Sequence, residues 1–264
     1  MFKNKKILLI GAGNMGQSLI RGWLKHGYKN ILAIDPNLEV KKTLSNLEIS
    51  FHEDIEHFHF DVDVIVIAVK PQVLDEVLHQ ISMQDLSKTA ILSIVAGKKI
   101  KVYQEALGDV SIVRSMPNTP SSIGNGMTAL CASSQTSEEQ VLLSQSLFES
   151  VGKVAWVDES MMDIVTAISG SGPAYVFYFI ECLISSAVKA GMKEDLAREL
   201  AIMTVYGSAN YALESEKNLQ ELRERVTSPG GTTEAALEVL TNGDFKDCID
   251  LAINQAKKRS EELN

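Results

Sequence analysis

The most constraining feature of this sequence is the junction between Ile7-Leu8-Leu9-Ile10 and Gly11-Ala12-Gly13-Asn14-Met15-Gly16. Four apolar residues of strand character run directly into three spaced glycines, and Met15, Leu19, Trp23 and Leu24 then recur at helical spacing over 14–26. The first glycine permits a tight turn. The second admits a pyrophosphate close to the backbone, the third lets the helix pack on the strand, and the helix start presents N–H groups to an anion. The pattern predicts dinucleotide binding by Gly11, Ala12, Gly13, Asn14, Met15 and Gly16; a glycine turn that serves only the fold is the alternative.

The rest of the first half continues the alternation expected of parallel strands joined by crossover helices, with strands over 6–10, 31–35, 64–69, 90–95 and 110–114. Further strands over 126–131 and 154–157 flank a helix over about 137–150. The strand signal then stops. Helical patterns follow, broken at Gly170-Ser171-Gly172-Pro173, Gly191, Ser228-Pro229-Gly230-Gly231 and Asn242-Gly243. The expected architecture is α/β: a Rossmann-type dinucleotide-binding domain over 1–157, then an all-helical domain over 158–264.

Asp35 ends the second expected strand, 19 residues after Gly16. An acid there accepts from the adenosine ribose and repels a 2′-phosphate, which favours NAD over NADP; bracing the turn into Pro36-Asn37 is the alternative. Ala68-Val69-Lys70-Pro71 leaves another strand at its C-terminal end, where ligands sit in such sheets. Lys70 there is either a cofactor contact or a solvated lysine. Near the C-terminus, Ser228-Pro229-Gly230-Gly231-Thr232-Thr233 opens a helix expected over 234–240. Exposed N–H donors beside hydroxyls suit a small carboxylate, and ordinary helix capping explains the same residues.

Composition removes several classes of function. Lys and Arg number 25 against 34 Asp and Glu, a net charge of −9 with no basic block, so neither nucleic acid nor an anionic membrane is an expected partner. Cys131, Cys182 and Cys248 are odd in number and lack Cys-x-x-Cys spacing, which suits reduced, mostly buried thiols in a cytoplasmic protein. The four apolar residues before Gly11 are too few for a signal-peptide core. The greasy stretch over 174–190 is interrupted by Glu181, Ser185, Ser186 and Lys189 and reads as a buried helix rather than a bilayer span. Phe51-His52-Glu53-Asp54-Ile55-Glu56-His57-Phe58-His59 is rich in metal-ligand types but lacks ligand spacing, so no metal is expected.

Taken more widely, Leu222-Arg223-x-x-Val226-Thr227-Ser228-Pro229-Gly230-Gly231-Thr232-Thr233-x-Ala235-Ala236-Leu237 strongly resembles the signature of the pyrroline-5-carboxylate reductases, the last enzymes of proline biosynthesis. The resemblance extends through the glycine string, Ala68-Val69-Lys70-Pro71-Gln72, Arg114-x-Met116-Pro117-Asn118-Thr119-Pro120 and Ile168-Ser169-Gly170-Ser171-Gly172-Pro173-Ala174-Tyr175, in the family's order. It implies hydride transfer from NADPH or NADH to the imine carbon of 1-pyrroline-5-carboxylate, giving L-proline. By this likeness the glycine string and Ala68, Val69, Lys70 and Pro71 bind cofactor, and Asn118 presents its side chain near the nicotinamide. Ser228, Gly230, Gly231, Thr232 and Thr233 hold the substrate carboxylate, with the Thr233 hydroxyl near the ring nitrogen as the candidate catalytic group. The likeness further implies a homodimer through the helical domain, which some relatives extend to a decamer.

Where relatives that prefer NADPH carry small or basic residues, this chain has Asp35-Pro36-Asn37, which leaves NADH and NADPH both open. Two other readings compete. One is a relative acting on a larger cyclic imine or on a β-hydroxy acid; a β-hydroxy-acid enzyme is expected to use a lysine in its helical domain, and none occurs between Lys153 and Lys189. A nucleotide-binding protein without turnover is the other, and the intact hydroxyls of Ser228 and Thr233 speak against it.

Overall fold

A computed structural model describes residues 2–55 and 61–263. In chain order the elements are β1 (Ile7–Ile10), α1 (Asn14–Lys25), β2 (Ile31–Ile34), α2 (Leu38–Leu44), β3 (Ser50–His52), β4 (Val64–Ile67), α3 (Leu74–Ser82), β5 (Ala90–Ser93), α4 (Ile100–Leu107), β6 (Ser111–Met116), β7 (Gly126–Ala132), α5 (Glu138–Glu149) and β8 (Gly152–Trp156). Helices alone follow: α6 (Met162–Val165), α7 (Gly172–Lys189), α8 (Glu194–Glu214), α9 (Leu219–Arg225), α10 (Thr232–Asn242) and α11 (Phe245–Glu262).

The strands form one sheet in the order β3-β2-β1-β4-β5-β6-β7-β8. β1, β4 and β5 read Ile-Leu-Leu-Ile, Val-Ile-Val-Ile and Ala-Ile-Leu-Ser and are buried throughout, as parallel strands covered on both faces must be. Alternate side chains go to opposite faces: Ile7 and Leu9 join one core with Leu19, Ile20 and Trp23 of α1 and Leu147 and Phe148 of α5. Leu8 and Ile10 join a second core with Leu74, Leu78 and Ile81 of α3 and Tyr103 of α4. Trp23 is fully buried and its indole N–H donates to the Leu147 carbonyl at 3.0 Å, tying α1 to α5.

Two features depart from the sequence expectation. β6 and β7 pair antiparallel, with Arg114 opposite Cys131, so the sheet is mixed. The edge strand β3, Ser50-Phe51-His52, is three residues long with polar neighbours around one aromatic residue, too little pattern for periodicity to register.

The chain divides into two compact units, Met1–Ser171 with Ala256–Asn264, and Gly172–Gln255. The change from strands to helices after Trp156 falls where residue 157 was expected to divide the chain, whereas the units part 14 residues later. The physical reason is that the intervening turns pack on the sheet's core: Met162 is fully buried in the second cluster and Ala167 is buried too, while the neighbouring Met161 is half exposed. The last turns of α11 return to the first unit, where the Ser260 hydroxyl meets the Asp163 carboxylate at 2.7 Å.

The second unit, described by itself, pairs α7 with α8 and carries α9, α10 and most of α11. Among its described residues Ala197, Ala201 and Leu222 alone are buried. No residue of α7 is buried, which corrects the expectation of a buried helix over 174–190. Phe177, Tyr178 and Tyr206 are 59%, 68% and 58% exposed, and Leu200, Met203, Tyr211 and Leu213 are exposed beside them. Their apolar pattern reflects a surface that one copy of the chain leaves uncovered. The stretch Glu159–Lys189 is long and apolar enough to cross a membrane, with a mean hydropathy of 1.3. Within it the backbone widens into a π-type turn at Thr166–Gly170, a break in the regular helix.

Candidate active site

Strand order reverses between β1 and β4, and in open α/β sheets ligands bind at the carboxyl ends of the strands flanking such a switch point. Ile10 and Ile67 end these two strands opposite each other, so the glycine string and the Ala68–Pro71 loop emerge side by side. Gly11 has φ +90°, and a Cβ there would stand 2.7 Å from the Ala68 carbonyl oxygen. Gly16 packs as tightly, because a Cβ would lie 2.5 Å from the Gly11 carbonyl oxygen. Gly13 differs: an added Cβ would meet nothing within 4 Å. The fold therefore does not need glycine at 13, and the space above it is open.

The N–H groups of Gly13, Asn14, Met15 and Gly16 find no acceptor among the described residues, the first protein-bonded amide of α1 being Gln17, which donates to Gly13. Open donors at a helix start attract an anion. Ala12 is spoken for, its N–H donating to Asp35 Oδ2 at 2.7 Å. Asp35 Oδ1 accepts from the Asn37 N–H at 2.9 Å, so the carboxylate braces both the glycine loop and its own turn. Ala68 and Val69 are half-buried at the loop and Lys70 is exposed, followed by Pro71 at the first position of a short 3₁₀ turn. These residues fit a dinucleotide.

Asn118 was expected to offer its side chain to the nicotinamide; the structure gives each end of that amide a backbone partner. Its Nδ2 donates to the Ser169 carbonyl at 3.0 Å and its Oδ1 accepts from the Met127 N–H at 2.9 Å. Asn118 is a strut that holds the Met116-Pro117-Asn118 loop between β7 and the turn before α7, because each end of its amide has a backbone partner of opposite character. Just upstream, Arg114 is 1% exposed and pairs with Glu159 at 3.4 Å. Glu159 accepts the Ile100 N–H at 2.7 Å as well, at the start of α4. The sequence reading missed Glu159, whose only signal was an acid near a run of helix starts.

In the second unit, Gly230 has φ +71° and the Gly231 N–H closes a turn on the Ser228 carbonyl at 2.9 Å. α10 then begins at Thr232 without a side-chain cap. The N–H groups of Thr232, Thr233 and Glu234 have no acceptor among the described residues, and neither do the hydroxyls of Ser228 and Thr233. Ser228 is exposed and Thr233 half-buried. Pure capping would have used those hydroxyls on the helix amides; here neither caps the helix. A residue not foreseen, Glu234, reaches back to accept the Gly230 N–H at 2.7 Å and fixes the loop; an acid in the first turn of a helix is the signal that could have suggested it.

Burial pushes the Cys131 thiol and the Tyr103 phenol up to about 12, so neither ionises near neutral pH. Cys182 and Cys248 are exposed, contrary to the expectation of mostly buried thiols. Of the histidine-rich string, 56–59 lie outside the described residues; among the described residues no group of three or more metal-ligand types comes together.

Comparison with known proteins decides between the readings. Residues 159–263 match the family model described as pyrroline-5-carboxylate reductase dimerisation, and residues 6–97 match that of an NADP oxidoreductase, coenzyme F420-dependent. The pyrroline-5-carboxylate reductase of Haemophilus influenzae is 40% identical over 99% of this chain and 98% of its own length. The chain belongs to the pyrroline-5-carboxylate reductase family. The Arabidopsis thaliana reductase is 36% identical over 98% of the chain and 95% of its own length. Among solved structures, a pyrroline-5-carboxylate reductase from Coxiella burnetii superposes with a TM-score of 0.93 at 35% identity, covering 99% of both chains. The Plasmodium falciparum enzyme, solved with NADP bound, gives 0.88 at 32% identity, covering 99% of this chain and 98% of its own. The protein is thus an NAD(P)H-dependent oxidoreductase with a Rossmann-type first unit, and its uncovered helical surface coincides with the family's dimerisation region.

Proposed function

We propose that this chain reduces 1-pyrroline-5-carboxylate to L-proline, the observation that carries the reading being the open start of α10 in a chain of this family. The substrate carboxylate sits on the free N–H groups of Thr232 and Thr233, with the Gly230-Gly231 turn giving it access and the Ser228 hydroxyl donating a further hydrogen bond. Glu234 fixes that loop through Gly230. The half-buried Thr233 hydroxyl, free of protein partners, orients the imine nitrogen and relays its proton from water; a threonine hydroxyl is too weak an acid to protonate it unaided. Protonation makes the imine carbon electrophilic, and anchoring by the carboxylate sets which face is presented.

A reduced nicotinamide, when bound, supplies the hydride. On the protein side, Gly11, Ala12, Gly13, Asn14, Met15 and Gly16 with Ala68, Val69, Lys70 and Pro71 form its site, Gly13 leaving room for the pyrophosphate and Asp35 standing at the ribose. Asn118 serves as the strut of the neighbouring loop.

The functional unit in this reading is a homodimer through residues 158–264, whose uncovered aromatic residues on α7 and α8 support it. Glu181, Ser185, Ser186 and Lys189 on α7 suit a protein partner better than lipid. A cytoplasmic location fits the exposed, unpaired Cys182 and Cys248. The test is steady-state kinetics on variants. Ser228→Ala raises KM for the imine with kcat little changed, and Thr233→Ala lowers kcat; an unchanged rate in Thr233→Ala removes that residue from the mechanism.

A further inference from the structure

We propose that Asp35 makes this chain prefer NADH over NADPH. The inference rests on the reading that the first unit binds a nicotinamide dinucleotide, and it assigns a choice that the family leaves open. The Asp35 carboxylate follows β2, beside the glycine loop, and is fixed by two backbone donors from two segments: Ala12 N–H to Oδ2 at 2.7 Å and Asn37 N–H to Oδ1 at 2.9 Å. An ionised carboxylate accepts about four hydrogen bonds, so two remain for further donors. A ribose diol offers donors. A 2′-phosphate offers acceptors and negative charge, and meets a carboxylate that two amides prevent from turning away.

Among the described residues of the segment that follows β2, no free cation offers compensation. Between Asp35 and Leu44 the cations are Lys41 and Lys42. Lys41 is paired with Glu53 at 2.8 Å and Lys42 with Glu39 at 2.7 Å, so each already faces a carboxylate of the protein. The Asn37 side-chain oxygen is likewise engaged, accepting from the Glu39 N–H at 3.0 Å. The segment that follows β2 therefore presents one fixed anion and no uncommitted cation, and a 2′-phosphate is excluded by charge rather than by space.

The experiment is calorimetric titration of the native chain, Asp35→Asn and Asp35→Glu with NADH, NADPH, ADP-ribose and 2′-phospho-ADP-ribose, each variant first checked by circular dichroism. The native chain is expected to bind the unphosphorylated member of each pair at least about tenfold more tightly, the order of a charged hydrogen bond gained against one refused. Asp35→Asn should bring the pairs within about threefold, chiefly by improved binding of the phosphorylated ligand, while Asp35→Glu should keep the discrimination. Equal or tighter binding of the phosphorylated ligands by the native chain overturns the proposal whether or not any variant folds. Equal weakening of all four ligands in Asp35→Asn overturns it too, since Asp35 would then only brace the loop. None of these titrations involves an imine: discrimination without reduction of pyrroline-5-carboxylate refutes the proposed reaction and leaves this inference standing, and no binding at all refutes both.

Discussion

Replacing Gly13 with alanine separates folding from cofactor binding in a way that few substitutions can. Gly13 has φ −64°, which alanine adopts freely, and its new Cβ would meet no protein atom within 4 Å. Folding should lose no more than about 1 kcal/mol, the preference for glycine over alanine at a helix N-cap. In the proposed site, by contrast, the pyrophosphate lies where the methyl would go. Overpacking by one carbon costs about 1–3 kcal/mol, which is roughly a 5-fold to 150-fold rise in Kd for NADH. Calorimetry gives the affinity and thermal melting gives the stability. Ligand at 100 times Kd should stabilise the native chain by about 2.7 kcal/mol, and at the same concentration Gly13→Ala should lose about 0.9–2.4 kcal/mol of that gain. Gly16→Ala is the control with the opposite signature, since its Cβ would lie 2.5 Å from the Gly11 carbonyl oxygen and 3.2 Å from Leu9 Cδ2, so the apo protein itself should melt lower. Native affinity in Gly13→Ala, or a collapse of its stability, would refute the placement of the pyrophosphate.

Further expectations follow from other parts of the molecule. Asn118→Ala removes two hydrogen bonds to backbone groups and should cost about 1–3 kcal/mol on thermal melting while leaving Kd for the dinucleotide near native. Glu159→Ala strips a buried arginine of its acceptor and α4 of a bond to its first N–H, with a loss of roughly 2–4 kcal/mol read by denaturant titration. Cys131 and Tyr103, pushed up to about 12 from ordinary values of 9.0 and 10.0, keep their protons in the folded chain after the unfolded chain has lost them. Their contribution to stability is complete below pH 9 and is lost as pH rises toward 12, so alkaline melting of Tyr103→Phe should fall less steeply than that of the native chain. Melting temperature should rise with protein concentration if a second copy covers α7 and α8, and a concentration-independent value with a monomeric sedimentation profile would contradict the dimer.

The sequence carried the first unit's central strands because Ile7–Ile10, Val64–Ile67 and Ala90–Ser93 are apolar on every side chain, a pattern only a doubly covered sheet accommodates. The reversal at β6–β7 was not legible, since strand direction depends on the length and path of the connection through Thr119–Ile123 rather than on side-chain alternation. In the helical unit, the apolar character of α7 was plain, but one chain's sequence does not distinguish burial within a subunit from burial between subunits; the exposure of Phe177 and Tyr178 does. At the site, motif spacing located the loops while the fate of each polar atom needed coordinates. Only coordinates show that Asn118 has a backbone partner at each end of its amide, and Ser228 and Thr233 read as caps until α10 is seen to start without them.

The reaction itself is tested most directly by adding 1-pyrroline-5-carboxylate to the purified protein with NADH or NADPH and following nicotinamide absorbance and proline together. One proline should form per nicotinamide oxidised, with a faster rate on NADH at equal concentration. Nicotinamide left unoxidised by protein that is folded and binds the dinucleotide would contradict the assignment of the Ser228–Thr233 loop to this imine.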